Sequence, residues 1–478
     1  MTGVDPVLSD GAIAGGPAQE YREIVSRLFK IPNGHVESDC AEPTSKAGVL
    51  AIIDTGAELP ELLLALQSEL QENRGGTSNS TPVGVSVARN YSREAPALLV
   101  LAADDGKALE FKVKHEAGWM VVLQIVRTFL DAGVPVAGLS LSGAQRVLQD
   151  KAGMRDAITL MEELGRHAQS LSHLHLTNFH FDSTDMESNT KLWRAFFSTW
   201  TSSTADGADG RLTTGMKTLT SLKLFNIGMS PDVLRTILRA GAAESLTSLE
   251  LNFASSGASS GWVDSHEEGK KRIANDIMAY LEKRGARAAA SSTNGADDVH
   301  HELRHLNISG LKFHDTEALV QIMETLGKEE VGKHLRLQEL YLNEIAEVEN
   351  FDQTSEAIVK SVVELLEKTN DTLEVLSLER NGLEKDTLYG LAQGAAGLGD
   401  NIKLRALGLG GNDDCLLSED EDIGKNIAEA LSKIATLRVV SFPAGEFDEA
   451  DRGDVTTVRF PQRGPEDLVA VESLSSSL

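Results

Sequence analysis

The chain has 478 residues, 41% of them hydrophobic, and a formal net charge of −27 at pH 7. A field of this sign repels nucleic acid and anionic membranes, which argues against both as partners. Two cysteines, Cys40 and Cys415, cannot supply a disulfide framework, and this favours a reducing, cytoplasmic compartment. The sequence has no run approaching 18 apolar residues and no export signal at its start, so we expect neither a membrane span nor secretion by the general route.

The first part of the chain divides into two segments. Residues 1–47 begin with small, polar, glycine-rich sequence and are predicted to be a largely flexible leader. Residues 48–135 combine strand-like runs with helical spacing, and Asp105-Gly106 lies between two such runs as a hairpin signal. We interpret 48–135 as an α+β segment that caps the repeats after it, with an independent catalytic domain as the alternative.

A leucine ladder of the form L-x-x-L-x-L dominates the chain after residue 136. An early, irregular copy is VAGLSLSG, and the regular copies begin at Leu171, Leu219, Leu246, Leu303, Leu337, Leu373 and Leu404, with a degenerate eighth, LRVVSF, at Leu437. Because side chains alternate across a strand, this spacing puts the second and third leucines on the inner face of a short strand. Stacked strands should therefore share one core, with Leu222, Leu249 and Leu306 in contact.

The segments between the ladders predict helices. From Leu303 onward the copies start 31 to 36 residues apart, which leaves room for a helix after each strand. Apolar residues recur at helical spacing in ALVQIMETLG, SEAIVKSVVELLEK and IGKNIAEALSKI. Asp315, Thr354 and Ser418 precede these segments and are the predicted caps.

These motifs resemble the intracellular, ribonuclease-inhibitor-like class of leucine-rich repeat. The resemblance covers residues 139–443 and includes the consensus asparagine of two repeats, Asn381 and Asn412, which normally satisfies backbone groups where the chain leaves the strand. It implies an α/β fold: a right-handed leucine-rich repeat solenoid, or horseshoe, with a parallel concave sheet and convex helices. We assign 136–445 to this solenoid. The uneven periods and the absence of the asparagine elsewhere predict a bent or locally interrupted coil.

Inserts and a terminal segment complete the organisation. KLWRAFFSTW with the loop after it predicts an added helix, and RAAASSTNGADD, ending at Asp298, has the composition of a linker. GKKR, from Gly269 to Arg272, is expected on the solvated face of an amphipathic helix. Residues 446–478 form either a C-terminal cap or a tail.

Searches for chemistry along the sequence are negative. Phosphate-binding, zinc-protease, C-x-x-C and nucleophile-elbow motifs are all absent, and we predict no catalytic residue, no cofactor and no metal. A zinc site built on His173 and His175, with His180, Asp182 and Asp185 nearby, is the weaker alternative. Cys415 lies in an acidic segment, which would raise its pKa and weaken it as a nucleophile.

Binding is expected on the concave surface, because the non-leucine side chains of the strands project from it. Two positions of each repeat, one between the second and third leucines and one two residues later, supply the candidates. They are His175, Lys223, Phe225, Glu250, Asn252, Asn307, Tyr341, Asn343 and Glu379, with Arg380 adjacent. Phe225, Tyr341 and Arg380 are interpreted as exposed contacts, since aromatic and arginine residues dominate interface energetics.

The sequence thus predicts a non-enzymatic, cytoplasmic protein-protein interaction module. It should be a monomer that binds a protein partner with a basic surface, and neither nucleic acid nor membrane. Two alternatives stay open: a regulator of a small GTPase, of the GTPase-activating type, and a bacterial effector that is injected into host cells.

Overall fold

The computed structural model describes seventeen stretches of the chain, and every structural statement below concerns them. They are residues 49–53, 83–87, 98–102, 108–113, 127, 136–142, 158–159, 173–177, 219–225, 231–239, 245–253, 267–294, 302–346, 355–412, 421–442, 456–459 and 472–473.

One sheet runs through the described part of the chain. Its strands are β1 (Val49–Ile53), β2 (Val83–Val87), β3 (Leu98–Ala102), β4 (Ala108–Val113), β5 (Val136–Ser142), β6 (His173–Thr177), β7 (Ser221–Phe225), β8 (Ser248–Asn252), β9 (His305–Ser309), β10 (Glu339–Tyr341), β11 (Val375–Ser377), β12 (Ala406–Gly408), β13 (Val439–Phe442), β14 (Thr456–Arg459) and β15 (Glu472–Ser473). Their order in space is β1-β3-β4-β2, followed by β5 to β15 in chain order.

The eight predicted ladder strands, β6 to β13, all pair with their neighbours in parallel, and β5 joins them in the same direction. Leu222, Leu249 and Leu306 are aligned across three adjacent strands and are 1%, 0% and 0% exposed. The predicted leucine stack is therefore confirmed. The pairing is not interrupted between β5 and β13, although the strands shorten from five residues in β9 to three in β10.

Both ends of the parallel sheet are extended by further strands. β2 pairs with β5 in parallel, and β3 pairs with β4 in antiparallel fashion, as the Asp105-Gly106 signal predicts. At the other end β14 pairs with β13 and β15 pairs with β14, both antiparallel. No edge of the repeat strands β5 to β13 is thus left without a neighbour. The two residues of the hairpin turn and the insert KLWRAFFSTW lie outside the described residues.

Seven helices occupy the connections among the described residues. They are α1 (Pro231–Arg239), α2 (Glu267–Asn294), α3 (Glu317–Gly327), α4 (Glu329–Leu335), α5 (Ser355–Lys368), α6 (Lys385–Leu398) and α7 (Glu421–Ser432). In the described residues each connection from β7 to β13 holds one α-helix, except that between β9 and β10, which holds α3 and α4. A 3-10 helix, Gly399–Asn401, follows α6. Parallel strands need such crossovers, and the helices cover the leucine face of the sheet. The right-handed, leucine-rich-repeat form of this arrangement stays a prediction from the sequence.

Two predictions about the helices can be compared with the structure. The carboxylate of Asp315 accepts a hydrogen bond from the backbone N–H of Glu317 at 3.1 Å, so Asp315 does satisfy a donor at the start of α3. Thr354 and Ser418 lie outside the described residues. The linker prediction is wrong for Arg287 to Asn294, since these residues continue α2. Three consecutive alanines, 288–290, favour the helix more strongly than the small polar residues after them oppose it.

The two consensus asparagines form a ladder at the end of the sheet where the strands finish. The side-chain oxygen of Asn381 accepts from the N–H groups of Ile345 and Ala346 at 2.8 and 3.1 Å, and its amide donates to Leu342 O at 2.7 Å. Asn412 repeats this one strand later and accepts from the N–H groups of Asn381 and Leu383. Each asparagine therefore stabilises the turn of the preceding repeat, which confirms the role inferred for this residue.

Candidate protein-binding surface

The face of the sheet opposite the leucines carries three rows of side chains. The first row contains Ser221, Ser248, His305, Glu339, Val375, Ala406 and Val439. The middle row contains His175, Lys223, Glu250, Asn307, Tyr341, Ser377, Gly408 and Ser441. The last row contains Phe225, Asn252, Ser309, Asn343, Glu379 and Gly410. Strand register aligns the first two rows throughout and the last row as far as β9.

Four ionisable residues cross the sheet from β7 to β10, and we call Lys223, Glu250, His305 and Glu339 the charged row. Lys223 Nζ lies 2.7 Å from Glu250 Oε2, and the imidazole of His305 lies 3.5 Å from Glu250 and 2.8 Å from Glu339. Their side chains are 28%, 21%, 17% and 17% exposed in this order. The charged row is thus a linked set of half-buried ionisable groups with one edge open to solvent.

The surroundings of Glu250 favour its charged form. Burial alone would raise the pKa of its carboxyl group, but the ion pair with Lys223, and then the neighbouring His305, more than offset burial and lower the pKa. On either side of the charged row, His175 Nε2 lies 3.0 Å from Ser221 Oγ, and Tyr341 Oη donates to Glu339 Oε2 at 3.3 Å. A carboxylate held in this way is a fixed negative charge toward a partner.

From β9 to β13, the middle and last rows of the face are polar but closed to solvent. Asn307, Asn343, Ser377 and Ser441 are all between 0% and 2% exposed. Their side chains bond to one another and to backbone groups: Ser309 Oγ donates to Asn307 Oδ1 at 2.6 Å, and Ser377 Oγ donates to Asn343 Oδ1 at 2.8 Å. These polar groups stabilise the sheet from within.

The candidate residues predicted from the sequence divide into a partly or fully exposed group and a buried group. Lys223 and Glu250 belong to the charged row, His175 lies beside it, and Arg380 is exposed and donates to Glu344 Oε1 at 3.3 Å. The other predicted candidates are buried. These are Phe225, Asn252, Asn307, Tyr341, Asn343 and Glu379.

The predicted exposure of the two aromatic residues is wrong. Tyr341 is 1% exposed and Phe225 is 5% exposed. The ring of Tyr341 lies 5.3 Å from that of His305, and its hydroxyl is bonded to Glu339. Phe225 is aligned with Asn252 of the next strand, which is also buried, and side chains this close across strands pack against each other. Both rings are packed residues rather than open contacts.

His305 and Glu339 were missed by the sequence analysis. They occupy the position directly before the second leucine of their ladders, two residues ahead of the position that was considered. The period of two along a strand places both positions on one face, so the signal was present. Ser441 occupies the middle-row position of the degenerate eighth ladder, which the sequence analysis recognised, but it was not included among the candidates.

The alternative sites lie mostly beyond what the structure describes. The side chain of His173, together with His180, Asp182, Asp185 and Cys415, is outside the described residues. Within the described stretches, no three histidine, cysteine, aspartate or glutamate side chains are placed to hold a metal ion. No helix among them is both long and apolar enough to cross a membrane.

No protein-family model matches the chain, and no curated protein was found to be similar to it.

Proposed function

We propose that the chain is a non-enzymatic, cytoplasmic leucine-rich repeat protein that binds a protein partner on the polar face of its sheet, at the charged row. The observation that carries this proposal is the row itself: four ionisable groups on adjacent strands, linked by the Lys223–Glu250 ion pair and by the contacts of His305 with both glutamates, and 17% to 28% exposed. The row is the part of this face that a partner can reach, since Asn307, Asn343 and Ser377 beside it are closed to solvent.

The position of the row supports binding in a second way. Strands β7 to β10 are hydrogen-bonded on both sides, and their side chains are held by neighbours. Such groups lose little additional conformational entropy when a partner docks, and this raises the affinity that each contact yields.

Charge supports a partner with a basic surface. Glu250 and Glu339 outnumber Lys223 in the row, and the whole chain carries −27. Complementary charge steers a basic partner toward the surface and raises the association rate, an effect that salt weakens.

The test compares two double variants with the same change of charge. Glu250→Gln with Glu339→Gln alters the row, whereas Glu364→Gln with Glu367→Gln alters the exposed side of α5. Both full-length variants and the wild type are used to capture cytosolic proteins, and each protein captured by the wild type is then titrated by calorimetry at two salt concentrations.

We expect at least one captured protein to bind the row variant about tenfold or more weakly than the wild type, and to bind the α5 variant as tightly as the wild type. Circular dichroism confirms that both variants are folded. If every captured protein binds the two variants equally well, the charged row is not the binding surface.

A further inference from the structure

His305 lies between two carboxylates on the polar face of the sheet. Its strand, β9, pairs with β8 on one side and with β10 on the other, and these strands contribute Glu250 and Glu339. The imidazole Nδ1 lies 2.8 Å from Glu339 Oε2, and Nε2 lies 3.5 Å from Glu250 Oε1. Each ring nitrogen therefore faces a carboxylate oxygen of a different strand.

Neither neutral form of the imidazole suits both carboxylates. A neutral ring carries one N–H and one lone pair, whereas an ionised carboxylate only accepts hydrogen bonds. With the proton on Nδ1, the ring donates to Glu339 and directs the lone pair of Nε2 at Glu250. With the proton on Nε2, the lone pair of Nδ1 is directed at Glu339 instead. Only the imidazolium, which carries both protons, complements the two carboxylates at once.

The surroundings of Nε2 point to the same proton. This nitrogen is buried and makes no hydrogen bond among the described residues. Its 3.5 Å contact with Glu250 is longer than a formed hydrogen bond, although a slight approach of the two side chains would close it. Because Glu250 is held in its charged form, Nε2 can use this acceptor only while it carries a proton.

The titratable groups around the imidazole come from four strands. β8 contributes Glu250, and β10 contributes Glu339 and Tyr341, whose ring lies 5.3 Å from the imidazole and whose hydroxyl is bonded to Glu339. On β7 Lys223 pairs with Glu250, and His175 on β6 also acts on Glu250 electrostatically. Ordinary glutamate, lysine and tyrosine side chains keep their charge between pH 5.5 and 7.5, whereas histidine changes its charge.

We propose that His305 makes binding at the charged row depend on pH, because a proton on its imidazole and a basic partner compete for the negative charge of Glu250 and Glu339. With a neutral ring, one lysine charge stands against two carboxylate charges, and the row is negative. With the imidazolium the positive and negative charges are equal in number, and each carboxylate already has a cationic neighbour. No strand has to move. This effect rests on the proposed function, because it requires a partner bound at the row.

The coupling works in both directions. A basic partner should bind more weakly as the pH falls, and by linkage its binding should displace the proton from His305. Loss of affinity and release of a proton are therefore two independent signs of one event, and each can be measured.

The first measurement follows His305 in the free, full-length chain. The ¹⁵N chemical shifts of its two ring nitrogens are recorded from pH 8 to pH 5, and they distinguish a protonated from an unprotonated nitrogen. We expect one protonated nitrogen at the upper end of this range and two at the lower end. A ring with the same number of protons at both ends overturns the proposal, whether or not a partner is known.

Calorimetry then measures how the proton affects binding. The probe is the captured protein that distinguishes the row variant from the α5 variant, titrated at pH 7.5 and 5.5 in two buffers of different ionisation enthalpy. For the wild type we expect an affinity about fivefold or more lower at pH 5.5, and an enthalpy that reports proton release through its dependence on the buffer.

Two single variants assign the effect to its residue. His305→Gln should remove the pH dependence that belongs to the row, while any contribution of the partner's own groups remains and can be subtracted. His314→Gln replaces an exposed histidine between β9 and α3, and it should behave as the wild type.

The outcomes separate this inference from the proposed function. If the captured protein binds at the row with equal affinity at both pH values, or if the pH effect persists in His305→Gln, the proton competition is refuted and the proposed function stands. If no captured protein distinguishes the row variant from the α5 variant, both fail. If His305→Gln does not fold, the ¹⁵N shifts of the wild-type complex at pH 5.5 decide: loss of one ring proton on binding supports the competition, and an unchanged ring refutes it.

Discussion

Replacing Asn381 by alanine tests the asparagine ladder directly. The side chain is 0% exposed and satisfies three backbone groups: the N–H groups of Ile345 and Ala346 and the carbonyl of Leu342. A buried backbone group left without a partner costs about 1 to 3 kcal/mol. Allowing for relaxation of the turn, we expect Asn381→Ala to lower the free energy of unfolding by about 3 to 5 kcal/mol.

Asn343→Ala is the matched control for this measurement. Asn343 is buried and accepts two hydrogen bonds, from Ser377 Oγ and the N–H of Glu379, but its own amide nitrogen has no partner. Removing it relieves one unsatisfied donor and leaves two others, so the expected loss is about 1 to 2 kcal/mol. Urea unfolding followed by circular dichroism gives both values. An equal loss in the two variants would refute the reasoning that the ladder contacts of Asn381 are what stabilise the turn.

The other predictions concern glycine, pH and the buried tyrosine. Gly408→Ala should destabilise the chain by about 1 to 3 kcal/mol, because its β-carbon would lie 2.3 Å from Ser377 Oγ. Gly397→Ala in α6 is the control: a β-carbon there meets nothing within 4 Å, so this variant should be neutral or slightly stabilising in the same urea measurement. The pKa of Glu379 is raised by burial to about 7 in the folded chain, so its contribution to stability is fully present below pH about 4.5 and is lost as pH rises through about 7. Wild-type stability should therefore fall by about 3 kcal/mol over this range relative to Glu379→Gln. Urea titrations of both proteins at pH 5 and pH 8 would show the difference. Tyr341→Ala removes a packed ring and should lower the free energy of unfolding by about 3 to 5 kcal/mol, and with it the melting temperature. Tyr341→Phe keeps the ring and should lose less than half of that. An unchanged melting temperature in Tyr341→Ala would mean that the ring is not packed.

The repeat strands were predictable because their period is fixed by geometry. The second and third leucines of each ladder are two residues apart and can share one face only in an extended chain, and stacking follows because a single such strand cannot bury them alone. Leu222, Leu249 and Leu306 therefore lie where the ladder places them. Asn381 and Asn412 were assigned for a related reason, since the turn after the strand leaves backbone donors that need an acceptor.

How deeply a strand side chain is buried, and where a helix ends, could not be predicted from residue spacing. Alternation determines which face Tyr341 lies on, but whether the ring is covered depends on its neighbours, such as His305 on the adjacent strand. The end of α2 depends similarly on packing. Arg284 in this helix is buried and donates to Leu246 O at 2.8 Å, so the helix is held by a residue 38 positions away, which its local composition does not reveal.

Two glycines on α6 bring this helix close to α5. A β-carbon at Gly394 would lie 2.4 Å from Val363 Cγ2, and one at Gly390 would lie 2.9 Å from Val359 Cγ2. The missing methyl groups let α6 approach α5 more closely than ordinary side chains allow. Strands lie about 4.8 Å apart, whereas packed helices usually lie 8 to 10 Å apart, and in a coil of repeats this difference produces curvature toward the strands. In the solenoid that the sequence predicts, Gly390 and Gly394 would therefore reduce the curvature locally, from the helical side and without any change to the surface that the strands present.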